Sequence, residues 1–157
     1  MIDEIYNSQI LGYAARIKRL GRLENPDASS NRYSRLCGSS ITVDLKMKNS
    51  IVTGFAQEVR ACALGQASAA IMAQHVIGSK AEEIKILKKI MLEMLTENGP
   101  SPAGKFSDFS CLQHIKHYKV RQASIMLVFE AIVDCIEKIE KQEHRIHEKT
   151  EKGITQL

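Results

Sequence analysis

Apolar residues recur every three or four positions at the start of the chain, at Ile2, Ile5, Ile10, Leu11, Ala14, Ile17 and Leu20. That spacing lines one face of a helix and predicts an amphipathic helix over 2–20. GRLENPDASS (21–30) interrupts the pattern with Gly, Pro, Asp and Ser and reads as a loop. A short strand over 33–37 precedes SITVDLKMK (40–48), which alternates. Ile41, Val43, Leu45 and Met47 point one way; Thr42, Asp44, Lys46 and Lys48 point the other, toward solvent. Asn49-Ser50 is a turn signal, and IVTGFAQEVR (51–60) runs back with Val52 or Phe55 plus Val59 as its apolar contacts. These segments predict a small antiparallel meander.

After Arg60 the period changes. Residues 63–77 are rich in Ala, Ser and Gln, and form a helix whose small side chains permit close packing. Gly78 ends it, and Ser79 with Glu82 three residues later predicts a capping box for a helix over 80–97. That helix is amphipathic through Ile84, Leu87, Met91, Met94 and Leu95. NGPSPAG (98–104) is loop, and a short helix over 107–116 follows. A long helix over 119–141 places Met126, Leu127, Phe129, Ile132, Val133, Ile136 and Ile139 inward. The pattern divides the chain into a domain over 1–141 and a polar tail over 142–157 that frays. No internal repeat is visible. The order is helix, two or three strands, then four helices: an α+β domain with a small antiparallel sheet.

Composition narrows the function. The 157 residues are 44% hydrophobic and 25% charged, enough to bury one core. No run of about 18 apolar residues is present, so no membrane partner is expected. MIDEIYNSQI has no basic flank and does not read as a signal peptide, which points to the cytoplasm. The net charge of +4 is mild. Its densest basic clusters, KILKK (85–89) and HIKHYKVR (114–121), lack interleaved aromatics, so they read as solvated helix faces rather than a nucleic-acid surface.

Four cysteines, at 37, 62, 111 and 135, carry the candidate chemistry. A reducing compartment disfavours a disulfide framework, and no CxxC is present. Cys135 lies in the apolar stripe of the last helix and reads as core; Cys111 sits beside Phe109 and Leu112 and reads as core or partly exposed packing. Cys62 stands where strand gives way to helix, where free backbone N–H groups and the helix dipole favour thiolate. Cys37 precedes Gly38 at a strand edge, where the backbone can approach a metal or cluster closely. His114 and His117 share a helix face at a metal-binding spacing, with solvent exposure as the plainer reading. No phosphate loop, HExxH or nucleophile elbow is present, and no case arises for an enzyme.

Over roughly residues 2–140 the chain resembles the U-type iron–sulfur cluster assembly scaffolds (IscU, SufU and the N-terminal part of NifU). The resemblance rests on IYNSQIL, the Asn25-Pro26 loop, Cys37-Gly38 before an alternating strand, VRACALGQASAAIMAQHVIG and VRQASIMLVFEAI. It implies a three-stranded antiparallel sheet packed by about five helices, the SufE/IscU-like fold. It also implies a site of three cysteines and an aspartate, sometimes helped by a histidine, holding a cluster or zinc. Here Cys37 and Cys62 match the first two cysteines. Ser39 stands where the family has aspartate, Ser124 where it has the third cysteine, and Ala123 where one branch has histidine. KHYKVR replaces that branch's LPPVK stretch, and Arg121 matches an arginine of the SufU-like branch.

Two thiolates beside neutral hydroxyls make a weak or open metal site. Cys37 and Cys62 are therefore the expected metal or sulfur positions, Ser39 and Ser124 the replaced ones, and Arg121 their neighbour. The resemblance implies transient iron or an iron–sulfur cluster, with a cysteine desulfurase and cluster acceptors as partners. Two alternatives stand beside it: a degenerate paralogue that docks partners without metal, and a zinc-dependent sulfur acceptor.

Overall fold

The computed structural model describes residues 7–115 and 118–155. The metal-spacing reading of His114 and His117 falls outside the described side chains. The elements are α1 (Ser8–Ala14), β1 (Ala28–Tyr33), β2 (Ser40–Lys48), β3 (Ile51–Arg60), α2 (Ala63–His75), α3 (Ala81–Thr96), a 3₁₀ run (Gly104–Ile115) and α4 (Lys119–Thr155). The strands form one antiparallel sheet in the order β1-β2-β3.

The hairpin between β2 and β3 follows from its turn. Asn49 and Ser50 both take positive φ (53° and 62°), the type I′ geometry whose twist suits flanking strands. A bulge between Lys46 and Met47 shifts the register by one residue. Val52 and Phe55 therefore both reach the core, opposite Met47 and Leu45. On the same face Ile41, Val43 and Leu45 pack beneath α4, while α2 lies against β3. The seven residues of the last helix expected to point inward are all buried.

Asp44 corrects the reading of the outer face. Only 1% of it is exposed. Arg22 donates to both carboxylate oxygens (2.7 and 2.9 Å), Ser29 donates at 2.6 Å and the Leu23 amide at 3.0 Å. The segment ahead of β1 thus lies over this face and, with Ser29 of β1 itself, supplies the partners a buried carboxylate requires.

The same segment ends the first helix early. Past Ala15 the chain leaves the helix and runs along the edge of β3, where Gln57 and Gly21 donate backbone bonds to Arg19 and Gln57 (2.9 and 2.8 Å). Leu20 is consequently exposed rather than inward. Sheet-edge hydrogen bonds outcompete helical ones for these backbone groups.

Other expectations are also corrected. The first strand is Ala28–Tyr33, not 33–37, because side-chain bonds support its polar sequence: Ser30 to Asp134 (2.7 Å) and Asn31 to Thr42 (2.7 Å). Ser79 does not cap α3; its hydroxyl turns back to the His75 carbonyl at 3.1 Å, and Lys80 holds the cap position. Residues 104–115 form 3₁₀ structure, with Phe106, Phe109, Leu112 and Ile115 buried at every third position, matching its three-residue period. The last helix does not fray after 141 but continues to Thr155, with residues 141–150 exposed.

Candidate functional site

The loop between β1 and β2 is a tight closure. The Ser34 amide donates to Ser39 and the Gly38 amide to Ser34, each at 2.9 Å, and Gly38 takes φ +72°, which a side chain would strain. This presents Cys37, half-buried, at the end of the sheet. Cys62 occupies the N-cap of α2 in an extended conformation. Ser124 lies in the second turn of α4 with Arg121 three residues earlier on the same side.

These elements meet at one point. The Ser39 and Ser124 hydroxyls lie 3.1 Å apart and are buried, and the Cys62 sulfur lies 3.5 Å from the Ser124 hydroxyl. Cys37 hydrogen-bonds to Ser39 and Ser34. The hydroxyl pair forms the floor, and the two half-buried sulfurs lie at its two ends. All five residues singled out from the sequence, Cys37, Ser39, Cys62, Arg121 and Ser124, therefore fall in one site.

Its electrostatics favour sulfur anions. Burial pushes the Cys62 thiol up, but the Ser124 hydroxyl, the Gly65 and Leu64 amides and Arg121 outweigh it and bring the thiol below its ordinary value. Burial likewise raises Cys37, and the Ser39 and Ser34 hydroxyls, the Ser39 amide and the charge of Arg121 reverse this. Of the other two thiols, Cys135 is buried in the core and Cys111 is half-buried against it, as expected. Burial pushes Cys111 up to about 11, aided by Asp108, and Cys135 up to about 12. The Cys135 sulfur lies 3.6 Å from the Val43 carbonyl, away from the site.

Gly65 is the site residue the sequence pattern missed. A Cβ there would fall 2.3 Å from the Ser124 hydroxyl and 2.7 Å from the Ala61 Cβ. Its absence lets α2 and α4 approach closely enough for Ser68 to donate to the Ile125 carbonyl at 2.9 Å. The signal was present in the small residues of ALGQASAA.

The donor set does not complete a metal site. Among the described residues no group of three or more His, Cys, Asp or Glu side chains is arranged to hold a metal ion. The two hydroxyls that occupy the remaining positions are neutral and bonded to each other. Two soft donors fall short of the four that a tetrahedral zinc takes.

The sequence pattern of the NifU-like N terminal domain matches residues 5–125. The chain belongs to this family. Another NifU-like chain is the N-terminal part of a nitrogen-fixing NifU-like protein from Brucella abortus. Its crystal structure is 49% identical, covers 89% of this chain and 97% of that one, and superposes with a TM-score of 0.88. The iron–sulfur cluster assembly scaffold protein IscU of Thermotoga maritima is 28% identical over 137 residues, 87% of this chain and 96% of that one. The zinc-dependent sulfurtransferase SufU of Bacillus subtilis is 23% identical over 139 residues, 88% and 94% of the two chains. The α+β NifU-like fold expected from the sequence is the fold observed.

Proposed function

We propose that this NifU-like chain is an iron–sulfur cluster assembly scaffold that handles sulfur and iron through Cys37 and Cys62. One observation carries the reading. Two thiols with lowered pKa share a buried hydroxyl pair and an arginine, while Cys135, buried in the core, and Cys111, half-buried against it, have theirs raised.

Sulfur arrives from a donor persulfide, as a cysteine desulfurase would present it. The Cys62 thiolate attacks the outer sulfur, the donor's S–S bond breaks, and the donor leaves as thiolate. The product is a persulfide on Cys62. Arg121 and the α2 amides stabilise the anion on either side of the transfer. Iron is cargo, held by the thiolates, and an acceptor protein takes the product. The chain acts as a carrier in the cytoplasm, not as an enzyme: it holds reactants together rather than supplying a general acid or base. No described helix is long and apolar enough to cross a membrane.

The test is anaerobic incubation with iron, cysteine and a cysteine desulfurase. A persulfide on Cys62 and visible charge-transfer absorbance are expected, lost when Cys37 and Cys62 are both changed to serine and kept when Cys111 and Cys135 are. Absence of both signals in the unaltered chain refutes the reading.

The Ser39–Ser124 pair favours a second reading, in which the fold docks assembly partners without metal. A cellular phenotype unchanged by the double cysteine variant would select it. The zinc-dependent acceptor is the weaker alternative on this donor set, and less than one equivalent of zinc surviving dialysis is expected.

A further inference from the structure

The hydroxyl pair at the floor of the site suits an anion better than a metal. A carboxylate and a third thiolate in place of the two serines would gather four negative charges around one point, which only a bound cation can hold together. Ser39 and Ser124 are neutral there, buried, and 3.1 Å apart. A hydroxyl offers little to a soft metal. It does carry a proton that turns toward an anion. Groups that would receive a cation are thus exchanged for groups that donate to an anion.

The surroundings of Cys62 complete such a pocket. As thiolate, its sulfur accepts from the Leu64 and Gly65 amides, from Arg121 and from the Ser124 hydroxyl. Gly65 lets that hydroxyl stand against the first turn of α2, where a Cβ would fall 2.3 Å from its oxygen. Ser39 stands behind it as the next donor. We propose that Ser39 and Ser124 position a sulfane sulfur on Cys62, so that the chain takes up sulfur with no metal bound.

The step balances without a cofactor. The Cys62 thiolate attacks the outer sulfur of a protonated donor persulfide. A new S–S bond forms as the donor's S–S bond breaks, and the donor leaves as thiolate. That thiolate takes the proton of the transferred sulfur, and no net oxidation occurs. The outer sulfur, about 2 Å from that of Cys62, is now the anion. Turned toward Ser124, it draws both hydroxyls out of their mutual bond, and Arg121 balances its charge.

This inference rests on the scaffold reading, and the experiment separates the two. The full chain is stripped of metal and mixed anaerobically with glutathione persulfide, with and without chelator. Mass spectrometry is expected to find one added sulfur on Cys62, gained at the same rate in both. At a fixed ratio of glutathione persulfide to glutathione, Ser39→Ala should lower the equilibrium ratio of loaded to unloaded Cys62 about tenfold, with the circular dichroism unchanged. Ser39→Thr, which keeps the hydroxyl, should restore it. Ser39→Asp with Ser124→Cys should reverse the pattern: zinc is retained through desalting, and chelator slows loading. Should that double variant misfold, the Ser39→Ala result still decides.

Loading of the unaltered chain that chelator stops and zinc restores overturns the inference and leaves the scaffold reading standing. So does an equilibrium that Ser39→Ala does not move. No sulfur on Cys62, with or without metal, overturns both.

Discussion

The Cys62 sulfur and the Ser124 hydroxyl lie 3.5 Å apart across the contact between the start of α2 and the start of α4. In the thiolate state that hydroxyl turns to donate to sulfur. Ser124→Ala removes this donor and strips Ser39 of its buried partner. The Cys62 thiol should then titrate higher, so less thiolate is present at neutral pH. Alkylation rate against pH, read by mass on the Cys62 peptide, checks it; an unmoved profile would assign the lowered value to the helix amides and Arg121 alone.

The four thiols should divide into two classes. At pH 7 iodoacetamide should label Cys37 and Cys62 faster than free cysteine, and leave Cys111 and Cys135 unlabelled over the same interval. In denaturant all four should react alike.

The two thiols with raised pKa also give the fold an alkaline limit. Cys111 and Cys135 lose their protons near 9 when unfolded but only near 11 and 12 when folded. The unfolded chain then binds fewer protons, so stability falls as pH rises above about 9, by up to about 1.4 kcal/mol per unit for each thiol. Urea midpoints from pH 8 to 10.5 should decline, and Cys135→Val should flatten the slope.

Much of this architecture was legible in the sequence, and the failures have physical causes. The β2–β3 hairpin and the two long helices were visible because their buried positions follow a strict period, down to all seven inward residues of α4. The first strand was hidden because Ser29, Ser30 and Asn31 gain stability from side-chain bonds to distant partners. Residues 16–20 kept a helical period while their backbone served the edge of β3 instead. At the site, the thiols were recognisable from their places at a loop glycine and a helix start. Gly65 was not, because the small residues around it announce close packing but not which helix approaches or at which position.

Gly65→Ala tests that approach. The added methyl meets the Ser124 hydroxyl and Ala61, and should cost about 1–3 kcal/mol by forcing α2 from α4. Ser124→Ala in the same chain should recover part of the loss. A melting temperature equal to that of the unaltered chain would show that the helices separate freely.

Asp44 should govern acid sensitivity. Burial raises its pKa, but Arg22, Ser29 and the Leu23 amide more than reverse this and hold it below the usual carboxylate value. The stability it contributes is complete above about pH 4 and is lost as pH falls through the lowered folded value. Asp44→Asn should reduce stability at pH 7 by about 2 kcal/mol and make the acid transition shallower.

The sheet has one open margin, β1, and it is poorly suited to recruiting foreign strands. Lys138 reaches over from the last helix to occupy the Ser29 carbonyl at 2.7 Å, and the hydroxyl of Ser30 is held by Asp134. A margin capped by lysine and studded with polar groups resists the stacking that leads to fibrils. Pairing of one molecule with another through this strand is thereby disfavoured.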